Sequence, residues 1–215
     1  MIVVVGSPVH RALQDGAAAE GLSARIALAA AGRGSSVQLV GKIGEDPEGD
    51  AVVLALAGGH VGHVALLREG ARRTPRLIDG QSADGLDEEP QPPILMPADA
   101  SAPPTLEPAD VDLALRYLTE FAVLVLAEPG SEILRVAVAA ASWHEATLIV
   151  LLRPGDEIAV DVPDSAIVLE GPGREAEAAF AELVGSMAAR IDAGADPGSA
   201  LREVATSAGW TETRA

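Results

Sequence analysis

Apolar and polar residues along this chain form short blocks whose period changes at glycine and proline. Residues 2–5 are an unbroken β-branched run ending at Gly6, the pattern of a strand buried on both faces. Residues 22–33 are alanine-rich and helical, and Val37 to Val40 reads as a second strand, broken by Gly41 and Gly44. Asp46-Pro47-Glu48 opens a helix, with a capping aspartate, a proline in the first turn and a glutamate at the positive end of the dipole. That helix is expected to reach Ala57 and stop at Gly58-Gly59. Two strand candidates follow, around 61–67 and 74–79.

The pattern then loses its period. No lysine or arginine lies between Arg76 and Arg116, and prolines crowd the stretch from Pro90 to Pro108. Residues 80–105 therefore read as an irregular, acidic, proline-rich flap or as a plain linker, with one short strand around Ile94–Met96. Order resumes at Glu107-Pro108 with a helix through Leu118. A strand from Phe121 to Leu126, a helix over 131–141 and a strand from Thr147 to Leu152 come next. A weaker strand near Ala166–Leu169 precedes two helices, over 174–193 and 197–207. Strands alternating with helices predict a single α/β domain over 1–215, a mostly parallel sheet with helices on both faces.

Composition narrows the chemistry. The chain is 48% apolar but only 2% aromatic, so alanine, valine and leucine must fill the core. Cysteine is absent, which excludes disulfides, thiolate metal sites and a cysteine nucleophile. A net charge of −17 argues against nucleic acid as a partner, because that binding depends on cations that neutralise phosphates. No apolar run is long enough to span a bilayer, and no charged leader with a cleavage site follows Met1. The expectation is a cytoplasmic protein with no membrane partner.

The segments at 2–8, 25–50, Thr74-Pro75, Ile78-Asp79-Gly80, 106–115 and 123–141 occur in an order that resembles the ribokinase-like (PfkB) carbohydrate kinases. The resemblance extends to 185–201, which is similar to the family's last helices. It implies a ribokinase-like three-layer α/β/α fold and, for an active member, ATP- and magnesium-dependent transfer of phosphate to a hydroxyl. The residues that would do this are altered. The sugar-binding aspartate after the first strand falls on Arg11. The family's G-G-x-x-x-N turn falls on Glu20, Gly21 and Arg25, leaving arginine in the place of asparagine. Guanidiniums only donate, whereas a polyol needs acceptors as well. Glu128 keeps the polar position at the end of the strand over 121–126.

The family's G-A-G-D motif supplies an anion hole and a catalytic aspartate. In the ungapped register it falls on Ala178, Ala179, Phe180 and Ala181, the register preferred because it keeps Gly194 and Leu201 in step. In a rival register it falls on Gly171, Pro172, Gly173 and Arg174, where Gly171 and Gly173 would form a weak anion turn. Neither Ala181 nor Arg174 can act as the base. The interval between Arg11 and Arg25 is expected to have no room for the family's substrate lid, a pair of strands. The interval from Pro154 to Ala178 is expected to be too short for the strands beside the nucleotide, and no N-x-x-E motif occurs in it.

Other motifs favour plain readings. His60 and His63 lack further ligands and read as turn histidines. Trp143-His144-Glu145 reads as a packing tryptophan with polar neighbours. Gly41-Lys42-Ile43-Gly44 lacks the spacing of a Walker loop. Asp84, Asp87, Glu88 and Glu89 read as a solvated acidic loop rather than a cation site.

The leading expectation is a ribokinase-like protein without catalysis, acting as a binding or regulatory subunit and forming a homo-oligomer, with no cofactor or metal. The alternative is an active kinase of a sugar, nucleoside or related alcohol, with ATP and magnesium and a base drawn from Glu175, Glu177 or Glu182. A third is a sensor holding a small anion against Arg11 and Arg25.

Overall fold

The computed structural model describes residues 1–78, 94–96, 102–173 and 176–207. Its first strand, β1 (Ile2–Val5), is fully buried and central. A hairpin follows, β2 (Val9–Leu13) and β3 (Gly16–Glu20), then α1 (Leu22–Ala31), β4 (Val37–Gly44) and α2 (Pro47–Gly58). Next come β5 (Val61–Gly62), β6 (Leu66–Glu69), β7 (Arg76–Ile78) and β8 (Ile94–Met96). The second half holds α3 (Pro108–Tyr117), β9 (Val123–Ala127), α4 (Ser131–Trp143), β10 (Thr147–Leu152), β11 (Ile167–Glu170), α5 (Glu177–Asp192) and α6 (Pro197–Ser207).

The main sheet has the order β11-β10-β9-β1-β4-β5, with β6 also pairing β4, and every pairing in it is parallel. Strands of this kind bury both faces, as the alternation within β1 shows. Ile2 and Val4 join the core under α1, α2, α5 and α6, while Val3 and Val5 join the core under α3 and α4. The three-layer α/β/α architecture expected from the alternating pattern is the one observed.

One expected break is absent. β4 runs through Gly41 to Gly44 because two partners share it: β1 pairs with residues 37–40 and β6 with residues 41–44. Gly41 is needed for close approach, since a Cβ there would lie 2.7 Å from the Gly6 carbonyl oxygen. The start of α2 is as its residues imply. Asp46 caps it by accepting from the Gly49 N–H at 2.7 Å, and Pro47 occupies the first turn.

The expected lack of room between Arg11 and Arg25 is corrected. Residues 9–20 form a complete antiparallel hairpin, and with β7 and β8 it builds a second sheet of order β3-β2-β7-β8. The hairpin fits because the turn between its strands takes only two residues, with Gly16 at φ 144° just after it. A lid-like sheet is therefore present in this chain. Between β10 and β11, by contrast, the described residues contain no further strand. Most of the 80–105 segment lies outside the described residues, apart from β8 and residues 102–105, and so do Asp84, Asp87, Glu88 and Glu89.

Candidate functional site

In an open parallel sheet the natural ligand site lies beyond the carboxyl ends of the strands, where the strand order reverses. Here that point is the end of β1, between β9 and β4. Gly6 stands there, and a Cβ on it would lie 2.9 Å from Ser23 Cβ and 3.2 Å from Ala127 Cβ. The start of α1 and the end of β9 thus close directly onto the end of β1.

Above this point the second sheet brings in charge. The register pairs Val9 with Glu20 and Arg11 with Ala18, so Arg11 and Glu20 share one face of the hairpin. Arg25, in the first turn of α1, completes the group. The Glu20 carboxylate lies 3.6 Å from Arg11 Nη1 and 2.5 Å from Arg25 Nη2. Its side chain is 11% exposed and each arginine 30%. Despite the short separation, Glu20 Oε2 makes no aligned hydrogen bond, and Arg25 Nε and the buried Ser23 hydroxyl also lack hydrogen-bond partners among the described residues. The contact is one of charge, not of matched donors and acceptors. Gly21 caps α1 at φ 86° without a side-chain acceptor, and the first turn carries no acidic residue.

The opposite face of β2 carries His10, which pairs in register with Arg76 of β7. Arg76 contacts Glu48 of α2 at 3.1 Å. Burial pushes the His10 imidazole below its ordinary pKa, opposed by Glu48 and assisted by Arg76. Beneath it is a buried network. Asp46 accepts from the Thr74 N–H at 2.8 Å and the Thr74 hydroxyl at 2.7 Å, and the Thr74 hydroxyl oxygen accepts from the Gly44 N–H at 2.9 Å. Burial alone would raise the Asp46 carboxyl, but the bonds from Thr74 and Gly49 outweigh it and hold it below the usual carboxylate range.

The remaining sequence candidates are scattered. Glu128, at the end of β9, has a left-handed backbone at φ 53° and pairs with Arg153 Nε at 2.9 Å. Gly171 and Gly173 lie in the loop before α5. The Gly171 N–H donates to the Leu152 carbonyl and so is not open to an anion, and the Gly173 carbonyl accepts from the Ala176 N–H. Ala178 and Ala181 sit inside α5, where Ala181 is wholly buried beside Phe180. Arg174 and Glu175 lie outside the described residues. Glu182 pairs with Arg33, just beyond the far end of α1, away from the start of that helix.

Lys42 is held in strand β4 by a 2.7 Å ion pair with Asp110, which raises its pKa, and its N–H donates to Ser7 Oγ. Its charge is thereby engaged. The packing role given to Trp143 is corrected: Trp143 is 84% exposed, and His144 is the residue that packs, its ring 4.6 Å from Phe121. His60 follows α2 at φ 60°, and no group of three or more His, Asp or Glu side chains among the described residues could hold a metal. Sequence reasoning missed Glu20 and Ser23. The signal for Glu20 was its polar position two places out of register from Arg11 in an alanine hairpin, visible only once the hairpin is drawn.

No protein-family profile matches the sequence, and no curated protein matches it. Solved structures do. The crystal structure of Sa239 is similar with a TM-score of 0.68 at 15% identity, over 100% of this chain and 94% of that one. A putative ribokinase II from E. coli, in complex with ATP and Mg2+, is similar with a TM-score of 0.66 at 12% identity, over 100% and 93%. An uncharacterized sugar kinase from Pyrococcus horikoshii, in complex with ATP, gives 0.53 at 14% identity, over 86% of this chain and 60% of that one. The chain thus spans less than two thirds of the length of that sugar kinase. No helix among the described residues is long and apolar enough to cross a membrane. With its all-parallel main sheet, its second sheet beside the strand ends and these neighbours, the chain has the fold of the ribokinase-like sugar kinases.

Proposed function

We propose that this protein is a ribokinase-fold binding or regulatory subunit, cytoplasmic and without phosphotransfer, that takes a small anionic ligand at the start of α1. The observation that carries this reading is the Arg11–Glu20–Arg25 group at the end of β1. Two guanidiniums gather here around one carboxylate, in a chain of net charge −17. A neutral sugar cannot repay the desolvation of two arginines, whereas a carboxylate or phosphate can. Of the positions offered for a base, Glu182 is engaged with Arg33, and Ala181 carries no proton-accepting side chain.

Thermal-shift measurements with ATP–magnesium, neutral sugars and nucleosides, and small carboxylates and phosphates test this reading. Stabilisation is expected from an anion alone, by several degrees at millimolar concentration, and its loss in Arg25→Ala. Stabilisation by ATP–magnesium or by a sugar would support the kinase instead.

Self-association is part of the proposal, resting on the α3–α4 face and not on a missing lid. A groove of about 610 Å3 there is lined by Leu115, Val136, Ala139 and Trp143 among others. Trp143, in this groove, and Tyr117, at the end of α3 and 79% exposed, leave much aromatic surface in water. Light scattering is expected to show a dimer or larger species that dissociates in Trp143→Glu. A monomer at high concentration would remove this part of the proposal.

A further inference from the structure

We infer that Glu20 is the resting occupant of this site, a carboxylate of the chain itself lying where the carboxylate of a small organic acid binds. The inference rests on the anion-site reading above and adds what fills the site and what class of ligand displaces the filler.

The geometry shows a carboxylate that fits by charge and misfits by direction. Glu20 is within 3.6 Å of Arg11 and 2.5 Å of Arg25, so a carboxylate is accommodated between them. Among the described residues its Oε2 nevertheless has no aligned hydrogen bond, nor do Arg25 Nε and Ser23 Oγ. Three orphaned polar atoms thus lie within six residues of one another, in a region where buried polar groups are ordinarily satisfied. Ser23 is 2% exposed and its hydroxyl lies beside Gly6, where a Cβ would come within 3.3 Å of it. A hydroxyl in that position, in the first turn of a helix that lacks a capping acceptor, is placed to donate to an incoming oxygen.

Glu20 cannot make these bonds from its own backbone. It ends β3, an edge strand of the second sheet, and its carboxylate is tethered to that strand. A free carboxylate is not so tethered. It can lie in the plane of the Arg25 guanidinium and accept two parallel N–H bonds, as the Glu20 carboxylate between the same arginines does not. Release of Glu20 is local, because the adjoining Gly21 and the strand edge leave its side chain without sheet neighbours on one flank. Glu20 therefore lies between the two arginines when no ligand is present and sets the threshold a ligand must exceed.

The test is calorimetric titration of the full chain with glycolate and with inorganic phosphate at fixed ionic strength, for wild type, Glu20→Gln and Glu20→Gln/Arg25→Ala. Glu20→Gln is expected to bind glycolate at least tenfold more tightly than wild type, and the double variant to lose it. Equal glycolate affinity in wild type and Glu20→Gln would overturn the occupant inference and leave the anion site standing. No binding of either anion to any variant would overturn the site itself. Tighter phosphate than glycolate binding in Glu20→Gln would overturn the assignment to carboxylic acids. Should Glu20→Gln fail to fold, Glu20→Asp serves, its shortened reach giving an intermediate gain; no gain there would also overturn the inference.

Discussion

Replacing Asp46 with alanine is expected to destabilise the fold by about 3 kcal/mol, among the largest effects of any single side chain here. Asp46 is 5% exposed and accepts from the Gly49 N–H, the Thr74 N–H and the Thr74 hydroxyl. Its loss removes the cap of α2 and orphans two backbone donors in a buried place. It also loosens Gly44, whose N–H donates to the Thr74 hydroxyl. The network therefore joins the end of β4, the start of α2 and the approach to β7.

The same carboxyl sets part of the acid limb. Its folded pKa is lowered, so its stabilisation is fully present above the unfolded value of about 3.9 and is lost as pH falls through the folded value. Urea denaturation at neutral pH and across the acid range should show Asp46→Ala less stable at neutral pH and less sensitive to acid. An unchanged neutral stability would show that the network contributes nothing.

A second large effect is expected at the seam between α1 and α5. Gly185 faces α1 so closely that a Cβ would lie 2.6 Å from Ala29 Cβ, 2.9 Å from the Ile26 carbonyl oxygen and 3.0 Å from Ala30 N. Gly185→Val must push the helices apart and is expected to cost about 3 kcal/mol. Gly185→Ala gains up to about 1 kcal/mol of helix propensity, and the clash is expected to outweigh it. Because α1 also carries Ser23 and Arg25, both variants should weaken anion binding along with stability. Thermal melts with and without an anion read both effects. A Gly185→Val protein as stable as wild type would mean the seam is looser than these distances imply.

Much of the fold was legible because its strands are unambiguous. The β-branched run at 2–5 and the stretch from Thr147 to Leu152 can only be buried strands, and Asp46-Pro47 announces a helix in almost any context. Gly41 misled because a glycine in a strand usually marks an end, whereas here it lets β4 pass Gly6 while β6 takes over the pairing. The hairpin at 9–20 was hidden for a different reason. Its second strand is glycine, three alanines and glutamate, and such residues carry almost no strand signal until a partner and α2 cover them.

The site was half legible. Arg11 and Arg25 stood out by position, and the structure brings them together. Glu20, the residue that joins them, was visible only as a lost glycine, because its role comes from hairpin register rather than from sequence spacing. Glu128 was assigned to the same pocket, and it pairs with Arg153, just past the end of β10.

The central claim is that the chain keeps a kinase fold and uses it to hold an anion without transferring phosphate. Its most direct test is ADP release from ATP–magnesium in the presence of a panel of sugars, nucleosides and related alcohols, on the full chain. The expected result is no release above the rate without substrate, in protein that the anion panel still stabilises. Substrate-dependent ADP release that disappears in Arg25→Ala would contradict the account and assign this site to a working kinase.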